Sequence, residues 1–166
     1  MGTTTALHHE IKRTFFPFME AKGFTLDQRY APHFIDFRRT LEERVQFFEI
    51  QWEKYGKPRF VVNFTHVSAK GTICYAEHVP ASDVGPGQAP FYCRLHPNGS
   101  GSSTRHWFRQ DRTILSALLS RSRLYPPDLP VRQLIELFPE VEHYWQSGVV
   151  GPNSRLISCP WAQDVV

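Results

Sequence analysis

Residues 34–67 read FIDFRRTLEERVQFFEIQWEKYGKPRFVVNFTHV, and this stretch decides the fold. β-Branched and aromatic side chains dominate it, and apolar residues recur at every second position, as at Phe60, Val62 and Phe64. This alternation predicts an antiparallel meander with one buried face. The predicted strands are 34–40, 44–54 and 59–68, with the segment 55–58 as the last hairpin connection. The second strand is apolar on both faces, which indicates cover on two sides.

Two further segments extend the predicted sheet. A fourth strand follows the turn at Lys70 and Gly71 and spans residues 72–79, and a fifth spans residues 91–96. The Gly- and Ser-rich run 97–104 predicts a loop tip. The sequence therefore predicts a sheet of four to five strands.

An amphipathic helix is predicted before the sheet, over about residues 4–22. Its apolar stripe consists of Leu7, Ile11, Phe15 and Phe18. Gly23 supplies a left-handed stop after this helix. Pro17 lacks a backbone N–H, so it predicts a kink or a second short helix that begins there.

Two more helices are predicted after the sheet. The first begins near Asp111 and carries Ile114, Leu115, Leu118 and Leu119 as its apolar stripe. The second begins near Pro130, with Asp128 as its cap candidate, and Pro139 interrupts it. The tail 148–166 shows little period, so it is predicted to be irregular.

Length and composition predict one α+β domain over residues 1–166, in which helices from both ends pack on the antiparallel sheet. A chain of 166 residues can bury a core without metal or disulfide support. Its aromatic content of 14%, including 13 Phe, indicates an aromatic-rich core. The net charge is only +3 and both signs are interspersed, so nucleic-acid binding is not favoured.

The sequence also bears on location. The N-terminus lacks a basic segment followed by an apolar one, which does not favour a signal peptide, and no apolar run reaches the ~20 residues that span a membrane. The three cysteines form an odd set, which is typical of reduced thiols. A cytoplasmic protein without membrane contact is expected.

The sharpest pattern for a metal site is Cys74-x3-His78 followed by Cys93-x2-His96, because nitrogen and sulfur ligands at short spacings suit tetrahedral zinc. On a strand, however, residues four apart are separated by about 13 Å and residues three apart face opposite sides. The predicted strands therefore keep these side chains apart, and neither a metal nor a cofactor is expected.

Three carboxylates, Asp36, Glu49 and Glu53, lie on the predicted meander. Paired carboxylates can serve hydrolysis or magnesium binding, but the spacing of these three fits no motif. No catalytic residue is assigned on this basis.

The richest polar and aromatic cluster is R-H-W-F-R-Q-D-R at residues 105–112. Its candidate binding residues are Arg105, His106, Trp107, Arg109 and Arg112. Arginine and tryptophan dominate binding hot spots and also clamp anions or stack on bases. The alternative is a tryptophan in the core with arginine stems packed around it.

Several short motifs resemble an uncharacterised bacterial family, catalogued as domain of unknown function 4304. They are A-K-G-F at the end of the first helix, Q-F-F-E-I-Q-W-E-K and R-F-V-V-N-F in the meander, and the later C-R-L-H and H-W-F-R. The resemblance covers about residues 7–112, and the C-terminal region departs from it. It implies a helix-plus-meander fold and a bacterial cytosolic origin, and it supplies no catalytic residues.

Three functions remain open from the sequence. The favoured one is a non-catalytic protein-binding module, in its most concrete form an immunity or antitoxin-like protein whose partner is a toxin. The alternative is a small-ligand-binding protein or enzyme with an anion pocket between the sheet and the C-terminal helices, using Arg109, Arg112, His66 and His106. The second alternative is nucleic-acid binding through segment 105–123, which would weaken steeply with salt. The sequence does not predict an oligomeric state.

Overall fold

An antiparallel sheet forms the centre of the fold in the computed structural model of this chain, which describes residues 3–27, 33–99, 107–112 and 124–165. The strands are β1 (Thr25–Asp27), β2 (Phe34–Thr40), β3 (Arg44–Trp52), β4 (Arg59–Ser68), β5 (Thr72–Cys74), β6 (Glu77–Val79), β7 (Phe91–Leu95), β8 (Phe108–Arg109), β9 (Ser154–Ser158) and β10 (Ala162–Asp164). Seven strands of the described residues form the main sheet, in the order β1-β2-β3-β4-β7-β9, with β8 also paired to β4. A separate small sheet there has the order β10-β5-β6.

The predicted meander is confirmed. Strands β2, β3 and β4 begin at the predicted residues and end within two residues of the predicted ends. Phe48 of β3 pairs with Phe37 of β2 on one side and with Phe64 of β4 on the other. Directly opposite residues share a face of the sheet, so these three rings form one continuous layer on what we call the inner face.

The N-terminal helical segment is divided where Pro17 predicts a break. Helix α1 spans Thr3–Glu10, a π-helical turn spans Ile11–Phe15, and helix α2 spans Phe16–Ala21. The backbone N–H of Phe16 donates to the carbonyl oxygen of Ile11, five residues back. This wider turn precedes Pro17, which has no N–H to continue an α-helical ladder. Gly23 follows with a φ of 80°, the predicted left-handed stop.

The C-terminal helix α3 runs without a break over Asp128–Ser147, so the predicted interruption at Pro139 is wrong. Pro139 itself is exposed, whereas its neighbours Phe138 and Val141 are fully buried against the sheet. Packing of this buried face outweighs the one helical hydrogen bond that a proline removes. Asp128 is the first helical residue rather than the residue that precedes the helix.

Helices α1, α2 and α3 cover the inner face and close the main core. Its buried residues are Leu7, Ile11, Phe15, Met19, Phe24, Phe37, Phe48, Ile50, Trp52, Phe60, Val62, Phe64, Cys93, Leu95, Phe108, Val131, Leu134, Phe138, Val141, Tyr144 and Trp145. The indole Nε1 of Trp145 donates to the backbone oxygen of Thr65 at 2.9 Å. This bond ties α3 to the centre of β4.

The opposite face of the main sheet, which we call the outer face, is covered only in part. Val45, Phe47 and Val67 pack there against a second group of buried residues from segment 79–90. Strand β3 is therefore buried on both faces, as predicted. The rest of the outer face carries several polar side chains, and some of them, such as Asn63, are also buried.

Two predictions about short segments are wrong. Segment 72–79 is not one strand of the main sheet, because it folds back on itself as the hairpin of β5 and β6. The tail 148–166 is not irregular, because β9 pairs with β7 along the main sheet and β10 pairs with β5. Strands β7 and β5 are distant in sequence from β9 and β10, so no local periodicity in the tail predicts this pairing.

Two predictions concern residues that the structure does not describe. The predicted helix near residues 114–119 and most of the predicted loop tip 97–104 lie outside the described residues. In the part of the chain that the structure describes, no helix is both long enough and apolar enough to cross a membrane.

Candidate ligand-binding site

A row of polar side chains crosses the outer face of the main sheet. Asp36 of β2 pairs with Glu49 of β3, which pairs with Asn63 of β4. Asn63 pairs in turn with Arg94 of β7, and Arg94 pairs with Arg155 of β9. Because residues directly opposite each other project to the same side, all five side chains share the outer face. The row is acidic at its β2 end and basic at its β9 end.

Asn63 is the centre of this row, and only 4% of its surface is exposed. Its side-chain nitrogen Nδ2 donates to Oε1 of Glu49 at 2.5 Å, and its oxygen Oδ1 accepts a hydrogen bond from Nε of Arg94 at 2.9 Å. The two bonds fix the orientation of the amide. They also connect an acid on β3 to a guanidinium on β7 through one buried residue.

The electrostatics of the row are unusual for a sheet surface. Burial raises the pKa of the Glu49 carboxyl above its usual value, although the hydrogen bond from Asn63 and the charge of Arg94 both act to lower it. Burial likewise raises the pKa of Tyr92, and the charge of Arg94 opposes this shift. Glu49, Tyr92 and Arg94 therefore influence each other within one partly desolvated region.

A cleft of about 420 Å³ lies over this region of the outer face. Its lining residues are Phe34, Glu49, Gln51, Asn63, Gly87, Tyr92, Arg94, Ile157, Ser158, Cys159 and Trp161. Main-sheet strands supply the floor, and the segments near Gly87 and Trp161 supply the walls. The volume lies in the range of small-molecule sites, which span roughly 300–1,000 Å³.

Trp161 connects this wall to an exposed hairpin. Its indole Nε1 donates to the backbone oxygen of Gly87 at 3.1 Å, which joins two walls of the cleft. Its ring stacks on Tyr75 with the centroids 6.1 Å apart and the planes 6° apart. Tyr75 is 74% exposed and Trp161 is 42% exposed. Two large aromatic side chains thus stand in solvent beside the cleft.

The backbone that presents Tyr75 is strained. Tyr75 has a φ of 50° and the next residue, Ala76, has a φ of 66°. Both lie in the left-handed region, which costs residues other than glycine roughly 1–2 kcal/mol each. Two-residue hairpins of this type normally use Asn-Gly. The chain therefore holds an exposed tyrosine at a position where stability favours other residues.

The predicted binding cluster 105–112 lies elsewhere, at the end of the sheet where β8 pairs with β4. Arg105 and His106 are outside the described residues. Trp107 is half-buried, and the guanidinium of Arg59 lies 4.6 Å from its ring centre. Most of segment 105–123, the predicted nucleic-acid-binding segment, is also outside the described residues.

Two arginines of this cluster are engaged within the protein. Arg109 forms a forked pair with Asp111, in which Nη2 donates to Oδ2 at 2.7 Å and Nε to Oδ1 at 3.2 Å. Arg112 stacks over Tyr125 at 4.2 Å. These contacts fix local structure between β8 and the segment that precedes α3.

The structure keeps apart two residues of the predicted anion pocket, Arg109 and His66, and His106 lies outside the described residues. Arg109 pairs with Arg59 at the start of β4, whereas His66 lies seven residues further along the same strand, about 23 Å away. Burial lowers the pKa of His66, and the nearby charge of Arg44 lowers it further. The interface between the sheet and α3 is filled by aromatic packing, for example Phe64 against Tyr144 at 5.4 Å.

Two other patterns can be located. Cys74 and His78 lie in the small sheet, and Cys93 lies in the main sheet. Among the described residues, no group of three or more His, Cys, Asp and Glu side chains is placed to hold a metal ion. Of the three meander carboxylates, Asp36 and Glu49 are brought together as cross-strand partners. Glu53 instead accepts hydrogen bonds from backbone N–H groups of the β3–β4 connection.

No local motif in the sequence identifies Asn63, Arg94, Tyr92 or Trp161 as a site residue. One signal was present: Glu49 and Asn63 interrupt the apolar second faces of two strands that are otherwise covered on both sides. Their meeting with Arg94 depends on the pairing of β4 with β7, which no local pattern reveals.

Comparisons with models of known protein families, with curated proteins and with solved structures find no match to this chain. The resemblance to domain of unknown function 4304 stays a prediction.

Proposed function

We propose that this protein is a binding domain that holds a small organic molecule in the cleft on the outer face. The observation that carries the proposal is convergence: Glu49, Asn63 and Arg94 come from three strands and meet Tyr92 and Trp161 around one cleft. Ligand sites combine apolar and aromatic walls with a few placed polar groups in this way. The proposal keeps the ligand-binding alternative of the sequence but moves it to the other face of the sheet.

The composition of the outer face supports the proposal. Where segment 79–90 covers this face, Val45, Phe47 and Val67 pack against it, and Arg38 donates to its backbone oxygens. At the cleft, the row instead places Glu49, whose carboxyl is partly desolvated and has no such backbone partner in the described residues. Titratable groups with perturbed pKa values in a cleft are more typical of functional sites than of surfaces selected for stability alone.

A ligand screen with a cleft-filling variant tests this proposal. A diverse library of small molecules with acidic, neutral and basic members is added to the protein, and binding is detected by NMR through amide shifts of β7 and β9. We expect hits that disappear in Ile157→Trp, because Ile157 is opposite Tyr92 on the outer face and lines the cleft. The matched control is Gln146→Trp on the exposed side of α3. Hits that persist in Ile157→Trp, or the lack of any hit, would contradict the proposal.

A second candidate is the non-catalytic protein-binding module, as an immunity or antitoxin-like protein of the bacterial cytoplasm. The observation that favours it is the exposed Tyr75 on a strained hairpin, together with the exposed Trp161 that stacks on it. Exposed aromatic residues are common anchors of protein interfaces. Strain at this tip is also typical of functional positions.

Co-expression with the products of neighbouring genes tests this second candidate. If a toxin-like neighbour is the partner, Tyr75→Ser should weaken its co-purification at least tenfold. Tyr55→Ser is the matched control, because Tyr55 is 75% exposed but lies on the β3–β4 connection. An equal effect of both variants, or no co-purifying neighbour, counts against a protein partner at this hairpin.

A further inference from the structure

We infer that the ligand of the cleft carries an oxyanion, a carboxylate or a phosphate, at the end lined by Arg94 and next to its cross-strand neighbour Arg155, and an aromatic body against Tyr92 and Trp161. This inference rests on the proposed function and adds the chemical class of the ligand. It is carried by the charges, the free hydrogen-bond donors and the aromatic walls of the cleft.

The first step is a pair of like charges. Arg94 and Arg155 are directly opposite each other on β7 and β9, and both side chains project to the outer face. Like charges on directly opposite residues of neighbouring strands destabilise a sheet. In residues 3–27, 33–99, 107–112 and 124–165, neither guanidinium forms an ion pair with a carboxylate. An oxyanion between them would relieve this repulsion.

The second step concerns the donors that Arg94 still offers. Its Nε is held by Asn63 at 2.9 Å, which limits rotation of the guanidinium. In the described residues its two terminal nitrogens, Nη1 and Nη2, have no hydrogen-bond partner. Arg94 also lines the cleft. A guanidinium fixed through Nε presents its terminal edge to a carboxylate or phosphate, and this planar geometry is pre-organised for binding.

The third step concerns the apolar and aromatic residues that line the cleft. Phe34, Tyr92, Ile157 and Trp161 all line the cleft, so apolar and aromatic surface meets the polar floor. Aromatic walls favour planar ligand bodies through stacked or edge contacts. Glu49 and Arg94 lie two strands apart, so their backbones are about 10 Å from each other across the floor of the cleft. An oxyanion bound at Arg94 therefore avoids the acidic end of the row.

Three probes that share one ring system test the inference by isothermal titration calorimetry at low salt. They are 1-naphthoate, 1-naphthyl phosphate and 1-naphthamide, which differ in the group attached to the ring. We expect at least one oxyanion probe to bind tenfold or more tightly than the neutral amide. Whichever of the two oxyanion probes binds more tightly shows whether the site prefers a carboxylate or a phosphate.

Three arginine variants make the test specific. Arg94→Gln should remove the preference for the oxyanion probe and leave amide binding within about twofold. Arg155→Gln should weaken the oxyanion probe several-fold, and because Arg155 is exposed this variant keeps the test valid if Arg94→Gln does not fold. Arg132→Gln, at an exposed position of α3, is the control and should change nothing.

The outcomes separate this inference from the proposed function. Equal binding of amide and oxyanion probes, or a preference that survives both Arg94→Gln and Arg155→Gln, overturns the inference. So does a failure of all three probes to bind. Library hits that Ile157→Trp abolishes would still support the proposed function in each of these cases, whereas the lack of such hits would remove both.

Discussion

Gly151 lies directly against the side chain of Glu140, and a Cβ atom at residue 151 would be 2.2 Å from Cγ of Glu140. The Glu140 carboxylate accepts hydrogen bonds from the backbone N–H of Asn153 at 3.0 Å and from the hydroxyl of Ser154 at 2.5 Å. Glu140 belongs to α3 and Ser154 begins β9. The close approach at Gly151 therefore sets how the tail reaches the edge of the main sheet.

Gly151→Ala should destabilise the protein by about 1–3 kcal/mol, because the new methyl group displaces Glu140 and loosens the start of β9. Urea unfolding measures the loss. Gly87→Ala is the control: a Cβ at residue 87 meets no atom within 4 Å, so the change should be small. Equal stability of the two variants would show that the contact at Gly151 is unimportant.

Asn63→Leu should cost about 1–3 kcal/mol of unfolding free energy, because Glu49 and Arg94 both lose a buried hydrogen-bond partner. Gln51→Leu lies on the same face of the neighbouring strand and also lines the cleft. No side-chain hydrogen bond of Gln51 occurs within the described residues, so this control should change stability by less than about 0.5 kcal/mol. A neutral Asn63→Leu would argue against the connected row.

Glu49→Gln should stabilise the protein at neutral pH but not in acid. The pKa of Glu49 is raised in the folded state, so the stability linked to its proton is present below the ordinary glutamate pKa and is lost as pH rises through the raised value. The charged and titratable neighbours along the row are Asp36, Arg94 and Tyr92. Denaturant unfolding at pH 4 and pH 8 compares the variant with the natural protein.

Glu43→Gln serves as the control for this pH experiment, because Glu43 is exposed in the turn before β3. Like other exposed substitutions, it should change stability by less than about 0.5 kcal/mol at either pH. A Glu49→Gln protein that is less stable than the natural one at pH 8 would contradict the assigned cause, which is desolvation of the carboxylate.

Ala76→Gly should raise the unfolding free energy by about 0.5–1 kcal/mol, because glycine adopts the left-handed φ of 66° without the Cβ penalty. The midpoint of thermal or chemical unfolding measures this gain. Ala69→Gly, at an exposed turn residue with ordinary φ, should instead lose about 0.5–1 kcal/mol. Losses in both variants would mean that the hairpin is not strained.

The centre of the fold could be predicted from the sequence because its signals are local. Apolar residues at every second position mark β4, and aromatic and β-branched side chains mark the whole meander. The short turns between its strands leave antiparallel pairing as the simple solution. Pro17 marks the division of the N-terminal helix for the same reason. At Pro139 the local rule fails, since burial of Phe138 on the inner face outweighs one missing hydrogen bond.

The cleft could not be predicted because it depends on distant pairings. Arg94 becomes a neighbour of Asn63 only through the register of β4 and β7, and Trp161 reaches Gly87 from the far end of the chain. The local sequence instead favours Arg109, because it lies in the cluster of arginine and aromatic residues at 105–112. The structure shows that its charge is used by Asp111, two residues away.

The wall that Ile157 and Trp161 add to the cleft has a consequence for the order of assembly. Contacts between segments far apart in sequence form slowly, since a long loop of chain must first be closed. A partly folded molecule can contain the central meander while the cleft still lacks one side. A ligand could therefore bind in the cleft only after the C-terminal tail has packed on the sheet. Once bound, it would stabilise the contact between the tail and the sheet.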